Sequence, residues 1–137
     1  MITLQIPPPP PVAIVRVHPE VHLARARFFA AIVQVEGHKW TDDGGALAIS
    51  RMTWRQHTRI PYRYASFKEY AYPLAERHLD WLARSLAADG LPVTALTLAL
   101  CWRWGYEGGK AALAQGRTDY GQRVLNLVED RKLTISP

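Results

Sequence analysis

With one cysteine, Cys101, in 137 residues, the chain can form no internal disulfide and no cysteine-rich metal site. Cys101 lies in the apolar run ALTLALCW, where it reads as a small buried hydrophobe. Long hydrophobic runs are also missing, since no window approaches the roughly 18 consecutive apolar residues that a membrane-spanning helix needs. The opening stretch, MITLQIPPPPPVAIVRVHPE, has neither the basic n-region nor the small-residue cleavage site of a secretory leader. The chain is therefore expected to be cytoplasmic as synthesised, reaching any substrate outside the cytoplasm after lysis or through dedicated export. Zinc-finger spacing, a Walker loop and an RNA-recognition signature are absent, no internal repeat is visible, and neither a metal nor a cofactor is expected. Acidic residues are the scarcer charge, 12 against 17 Lys and Arg, which gives a net charge of +5. That balance favours an anionic partner such as nucleic acid, an acidic membrane surface or the bacterial cell wall. Charge alone does not choose among them, and the arginines are scattered through helical segments instead of forming a block, as on an ordinary solvated basic surface.

What is present fits one domain. Hydrophobic residues make up 48% and charged residues 21%, enough to build a core and still present a solvated surface. Residues 1–17 read as an arm: the prolines from Pro7 to Pro11 enforce extended polyproline II, and a strand is expected at Ala13 to Val17. Residues 18–137 form the domain, taken as monomeric. Helix one is expected from Pro19 to Glu36, with a buried stripe of Val21, Ala24, Phe28, Ile32 and Val35 and a stop at Gly37. A β-hairpin is expected in the turn-rich stretch His38 to Gly45 and the apolar run Ala46 to Ile49. A short helix over Ser50 to Thr58 and a loop at Pro61 to Tyr64 follow. Ser66 and Glu69 have capping-box spacing, and Pro73 is placed to open a helix with the stripe Leu74, His78, Leu79, Leu82 and Leu86, ending at Gly90. Within that stripe His78 reads as a satisfied, partly buried histidine. Thr94 can cap Ala95 to Trp104, apolar all round and hence the central buried helix; a short helix around Lys110 to Gln115 comes next. Thr118 or Asp119 caps the last helix, with Tyr120, Val124, Leu127 and Val128 on it.

Four strings in this order resemble the lysozyme superfamily over residues 19 to 130. GGALAISRMTW at Gly44 to Trp54 is similar to the glycine-Ile-Thr-Gln-x-Thr-Trp segment of phage-type muramidases and the glycine-Leu-Met-Gln segment of soluble lytic transglycosylases. LAERHLDWLARSL at Leu74 to Leu86 resembles their YLxxLL helix, and LALCWRWG at Leu98 to Gly105 falls where they carry Ala-Tyr-Asn-Ala-Gly. Thr118-x-Tyr120-x-x-Arg123-Val124-Leu125 looks like their Thr-x-x-Tyr-Val-x-x-Val ending. The resemblance implies a mainly α, lysozyme-like single domain with a small β-hairpin after the first helix. It also implies a peptidoglycan-cleaving activity, either lytic transglycosylase or muramidase. Three departures from the pattern touch positions that contact sugar or support the catalytic glutamate: Ala48 for glycine, Arg51 for glutamine, and Trp102-Arg103 for Tyr-Asn.

Glycosidic cleavage needs a carboxylic acid still protonated near neutral pH. Glu36, in the last turn of a helix whose unsatisfied carbonyls carry partial negative charge, is the expected general acid. A hydrolase also needs a second carboxylate, for which Asp42 and Asp43 are nearest in sequence, with Asp43 the choice; a transglycosylase needs none, because the sugar's own 6-hydroxyl attacks. Ser50, Arg51, Trp102, Arg103 and Tyr120 are the expected substrate contacts. The alternative is a catalytically silent lysozyme-fold module that binds glycan or a partner protein, and a basic nucleic-acid binder is weaker still.

Overall fold

Pro19 opens α1 (Pro19–Glu36), where its fixed φ suits the first helical turn and its missing N–H would have had no partner. The computed structural model describes residues 19–130, with side chains from Ala24 onward. The proline-rich arm and its expected strand at Ala13 to Val17 lie outside the described residues. Phe28, Phe29, Ala31 and Ile32 form the buried face of α1, Val35 is half-buried and Ala24 is exposed.

The expected β-hairpin is not there, and no strand occurs among the described residues. Residues 40–48 are instead a train of tight turns, with backbone bonds from Asp42 N to Lys39 O, Gly45 N to Asp42 O and Ala48 N to Gly45 O, each between 2.9 and 3.1 Å. Such local bonds use the amides and carbonyls that a strand ladder would need. Gly45 enforces the path: its φ is +68°, and a Cβ there would stand 2.3 Å from the Ala65 carbonyl oxygen. The apolar run Ala46 to Ile49 still enters the core, with Leu47 fully buried.

Ser50 caps α2 (Arg51–His57) through its Oγ, which accepts the Thr53 amide at 3.1 Å. The expected loop at Pro61 to Tyr64 is largely a 3₁₀ turn, Tyr62–Ser66. Ser66 does not form the expected capping box with Glu69, because its hydroxyl donates to the Asp42 carbonyl and ties this turn to the preceding one. Consequently α3 (Lys68–Ala88) starts without a side-chain cap, and Pro73 lies inside it instead of opening it. Its buried stripe contains Leu74, His78, Leu79, Leu82 and Leu86, as the spacing indicates. Bonds from Leu91 N to Leu86 O and from Gly90 N to Ala87 O close its end as a Schellman motif.

Thr94 and Thr97 form a reciprocal cap for α4 (Ala95–Ala114). That helix breaks at Gly105, whose φ of 80° and ψ of 168° fall in a region open essentially to glycine alone. The break folds the second half back, so that a Cβ on Gly109 would meet the Cys101 backbone at 2.6 Å. The central helix is accordingly less buried than expected: Ala99, Leu100 and Cys101 are in the core, while Arg103 and Trp104 are exposed. Tyr106, just past the break, donates to the Ser85 carbonyl at 2.8 Å and to the Asp89 carboxylate, clamping the second half to the end of α3.

The last helix, α5 (Asp119–Glu129), packs on both α1 and α4. Arg27 of α1 donates to the carbonyls of Val128 at 2.9 Å and Asp130 at 2.7 Å, capping the carboxyl end of α5 with a cation. The main core gathers Phe28, Phe29 and Ile32 with Leu47, Trp54, Leu74, Leu79 and Val124, and a satellite joins Leu82, Leu86 and Cys101.

Candidate active site

Glu36 closes α1, so its side chain leaves the helix where the chain turns at Gly37, against the crossing of α4 and α5. It is almost fully covered, with 5% of its side chain exposed. Tyr120 of α5 donates its hydroxyl to Glu36 Oε1 at 2.7 Å. Arg103 of α4 donates Nη1 to Oε2 at 3.2 Å and reaches Oε1 at 3.5 Å. His38 Nε2 lies 3.9 Å from Oε2. Burial first, then the bond to Glu36 and its charge, push the Tyr120 phenol far above its usual range, so it stays a donor at any working pH. Three helices thus converge on one carboxyl group, and the two side chains over it, Arg103 and His38, are each 42% exposed.

Two rings flank the Arg103 guanidinium: Trp104 with its centroid at 5.0 Å and Tyr120 at 5.8 Å. Trp104 is 52% exposed, an aromatic ring open to solvent beside the Arg103 guanidinium. The residue pattern held a signal for it, a tryptophan immediately before a glycine that breaks the helix. Trp102 is different, since its indole N–H donates to the Leu47 carbonyl at 2.9 Å and its ring packs on Phe28 and Phe29. It supports the site from the core side.

Of the residues singled out in the sequence, the fold brings Glu36, Arg103 and Tyr120 together. Asp43 is exposed, bonds to none of them, and acts through space on the Tyr62 hydroxyl. Asp42 holds its own turn by accepting the Lys39 amide at 2.8 Å. Ser50 is occupied as the α2 cap, and Arg51 stacks over the Tyr62 ring at 4.7 Å, away from Glu36.

Two further features were not visible in the residue pattern. A concavity of about 510 Å³ lies beside α2, lined by Arg51, Arg55 and Arg59 with Ile60, Pro61 and Tyr62 among its other walls. Between α2 and α3, His57 Nε2 and His78 Nδ1 share a hydrogen bond at 2.8 Å, and the His78 ring stacks on Trp81. Burial, reinforced by the His57 ring, holds His78 down at about 4, and burial with Arg77 lowers His57 as well. The described residues contain no group of three or more His, Cys, Asp or Glu placed to hold a metal ion. Among them, no helix is long and apolar enough to cross a membrane.

No family model matches the chain, and neither a curated protein nor a solved structure matches it.

Proposed function

We propose that the chain is a lysozyme-like enzyme that cleaves the glycan of peptidoglycan, with Glu36 as its general acid and base. The observation that carries this reading is the sheltered Glu36 carboxyl, hydrogen-bonded by Tyr120 and by an Arg103 guanidinium that the exposed Trp104 ring flanks. A sugar ring stacked on Trp104 would displace the half-exposed Arg103 guanidinium from Oε2 and bring the glycosidic oxygen to the carboxyl group. Glu36 then gives its proton to that oxygen as the bond to C1 breaks. The resulting carboxylate takes the proton of the sugar's 6-hydroxyl while that oxygen bonds to C1, yielding a 1,6-anhydro product and restoring the acid. Tyr120 keeps the carboxyl oriented in both steps.

This lytic transglycosylase route is preferred over hydrolysis because it asks for no second carboxylate, and Asp43 is not joined to Glu36. The basic surface suits a polymer bearing peptide carboxylates and makes attachment sensitive to salt. Mass spectrometry of muropeptides after incubation with cell walls tests the proposal. Anhydro-muropeptides are expected; new reducing ends would reassign the chain as a hydrolase, and neither product would remove catalysis.

One observation favours a second reading, that of a silent glycan-binding module: Arg103 already engages both oxygens of Glu36. That reading requires sedimentation with insoluble walls and no products of either kind.

A further inference from the structure

We infer that the concavity beside α2 is a second binding site, built for the carboxylates of the short peptides that hang from the glycan. Naming the ligand rests on the peptidoglycan reading of Glu36; the anion site itself rests on its own geometry. Arg51 and Arg55 stand one helical turn apart and so share a face of α2, and Arg59 follows where the chain leaves that helix. Among the described residues, no carboxylate pairs with any of the three. Asp43 acts on the Tyr62 hydroxyl through space but bonds none of them.

Three like charges facing one concavity repel each other until an anion enters, and a guanidinium fork matches the two oxygens of a carboxylate. The walls are already fixed. Tyr62 donates its hydroxyl to the Ile49 carbonyl at 2.6 Å, the Trp54 indole donates to the Ile60 carbonyl, and the Arg51 guanidinium lies over the Tyr62 ring. Ile60 and Pro61 add an apolar wall suited to aliphatic peptide side chains.

The test pairs a small probe with the polymer. Titrating the protein with the stem tetrapeptide released from cell walls should shift the side-chain Nε–Hε signals of Arg51, Arg55 and Arg59, and the same peptide with amidated carboxyls should not. The double variant Arg55→Gln/Arg59→Gln, checked for native circular dichroism, should bind intact walls about tenfold more weakly than wild type and peptide-stripped glycan equally well. No peptide-induced shift, equal losses on both polymers, or a loss confined to walls carrying phosphodiester polymers would overturn the site. Product release from stripped glycan reads Glu36 separately. If wild type and the double variant both yield anhydro products there but bind intact walls alike, the peptide site fails and the cleavage reading stands. If no products appear while the three arginines respond to peptide, the cleavage reading fails and the anion site stands.

Discussion

Acidification from pH 7 to pH 5 is expected to weaken the fold through His78. That ring is 5% exposed, hydrogen-bonded to His57 and stacked on Trp81, and it titrates near 4 against 6.5 in an unfolded chain. Because the folded value is the lower one, the unfolded state binds the extra proton between the two values, and stability is lost as pH falls from above 6.5 towards 4. At pH 5 nearly every unfolded chain carries that proton and few folded ones do, which costs about 2 kcal/mol. His57, also lowered, adds to the loss in the same direction. Asp89, whose carboxyl is held below its usual value by Tyr106 and Lys110, loses its contribution only below that value, so this window isolates the histidines. With a urea slope of about 2 kcal/mol per M, the unfolding midpoint should fall by about 1 M between the two pH values. Fluorescence is the natural signal, since Trp81 and Trp102 both contact His78. Replacing the histidine by His78→Phe should shrink the difference between pH 7 and pH 5. Coincident wild-type midpoints at both pH values would refute the reasoning.

Glu36→Gln keeps the side chain's shape and an acceptor for Tyr120, so it should cost about 1 kcal/mol in a thermal melt while lowering muropeptide release by at least about 100-fold; equal clearing in a zymogram would remove Glu36 from the mechanism. Tyr120→Phe deletes the 2.7 Å bond to Glu36 and should lose about 1–2 kcal/mol of stability and about tenfold in turnover. Unaltered turnover would show that the phenol does not orient the acid. Gly105→Ala meets no atom within 4 Å, so its effect isolates backbone strain: a loss of about 1–3 kcal/mol is expected by denaturant unfolding, and an unchanged midpoint would contradict the assigned φ and ψ.

The helices were legible because their signals are local. Pro19 and Ser50 mark starts, Gly37 and Gly90 mark stops, and the Leu74 to Leu86 stripe repeats at helical spacing. The stretch after α1 was misread as a hairpin because Asp-Asp-Gly-Gly followed by an apolar run suits strand pairing and consecutive turns alike. What decides between them is distant: the Ala65 carbonyl and the Tyr62 hydroxyl crowd Gly45 and Gly44. Ser66 illustrates the same limit, since its spacing to Glu69 promised a cap but a backbone carbonyl 24 residues earlier claims its hydroxyl. Glu36, Arg103 and Tyr120 were singled out with the help of a resemblance, and the fold brings them together, whereas that resemblance placed Arg51 with them and the fold does not. Which face of a seven-residue helix meets the Tyr62 ring depends on the turn that follows. The His57–His78 pair had no local signature, because two helices must cross before the rings meet.

Because Glu36, Arg103 and Tyr120 come from the first and the last two helices, the carboxyl group gains its hydrogen-bond partners only after nearly the whole domain has closed around it. A nascent chain still short of α5, or one clipped before it, would lack the phenol. The geometry around Glu36 is therefore tied to completion, and no partly built form of this domain would hold that carboxyl group among all its partners.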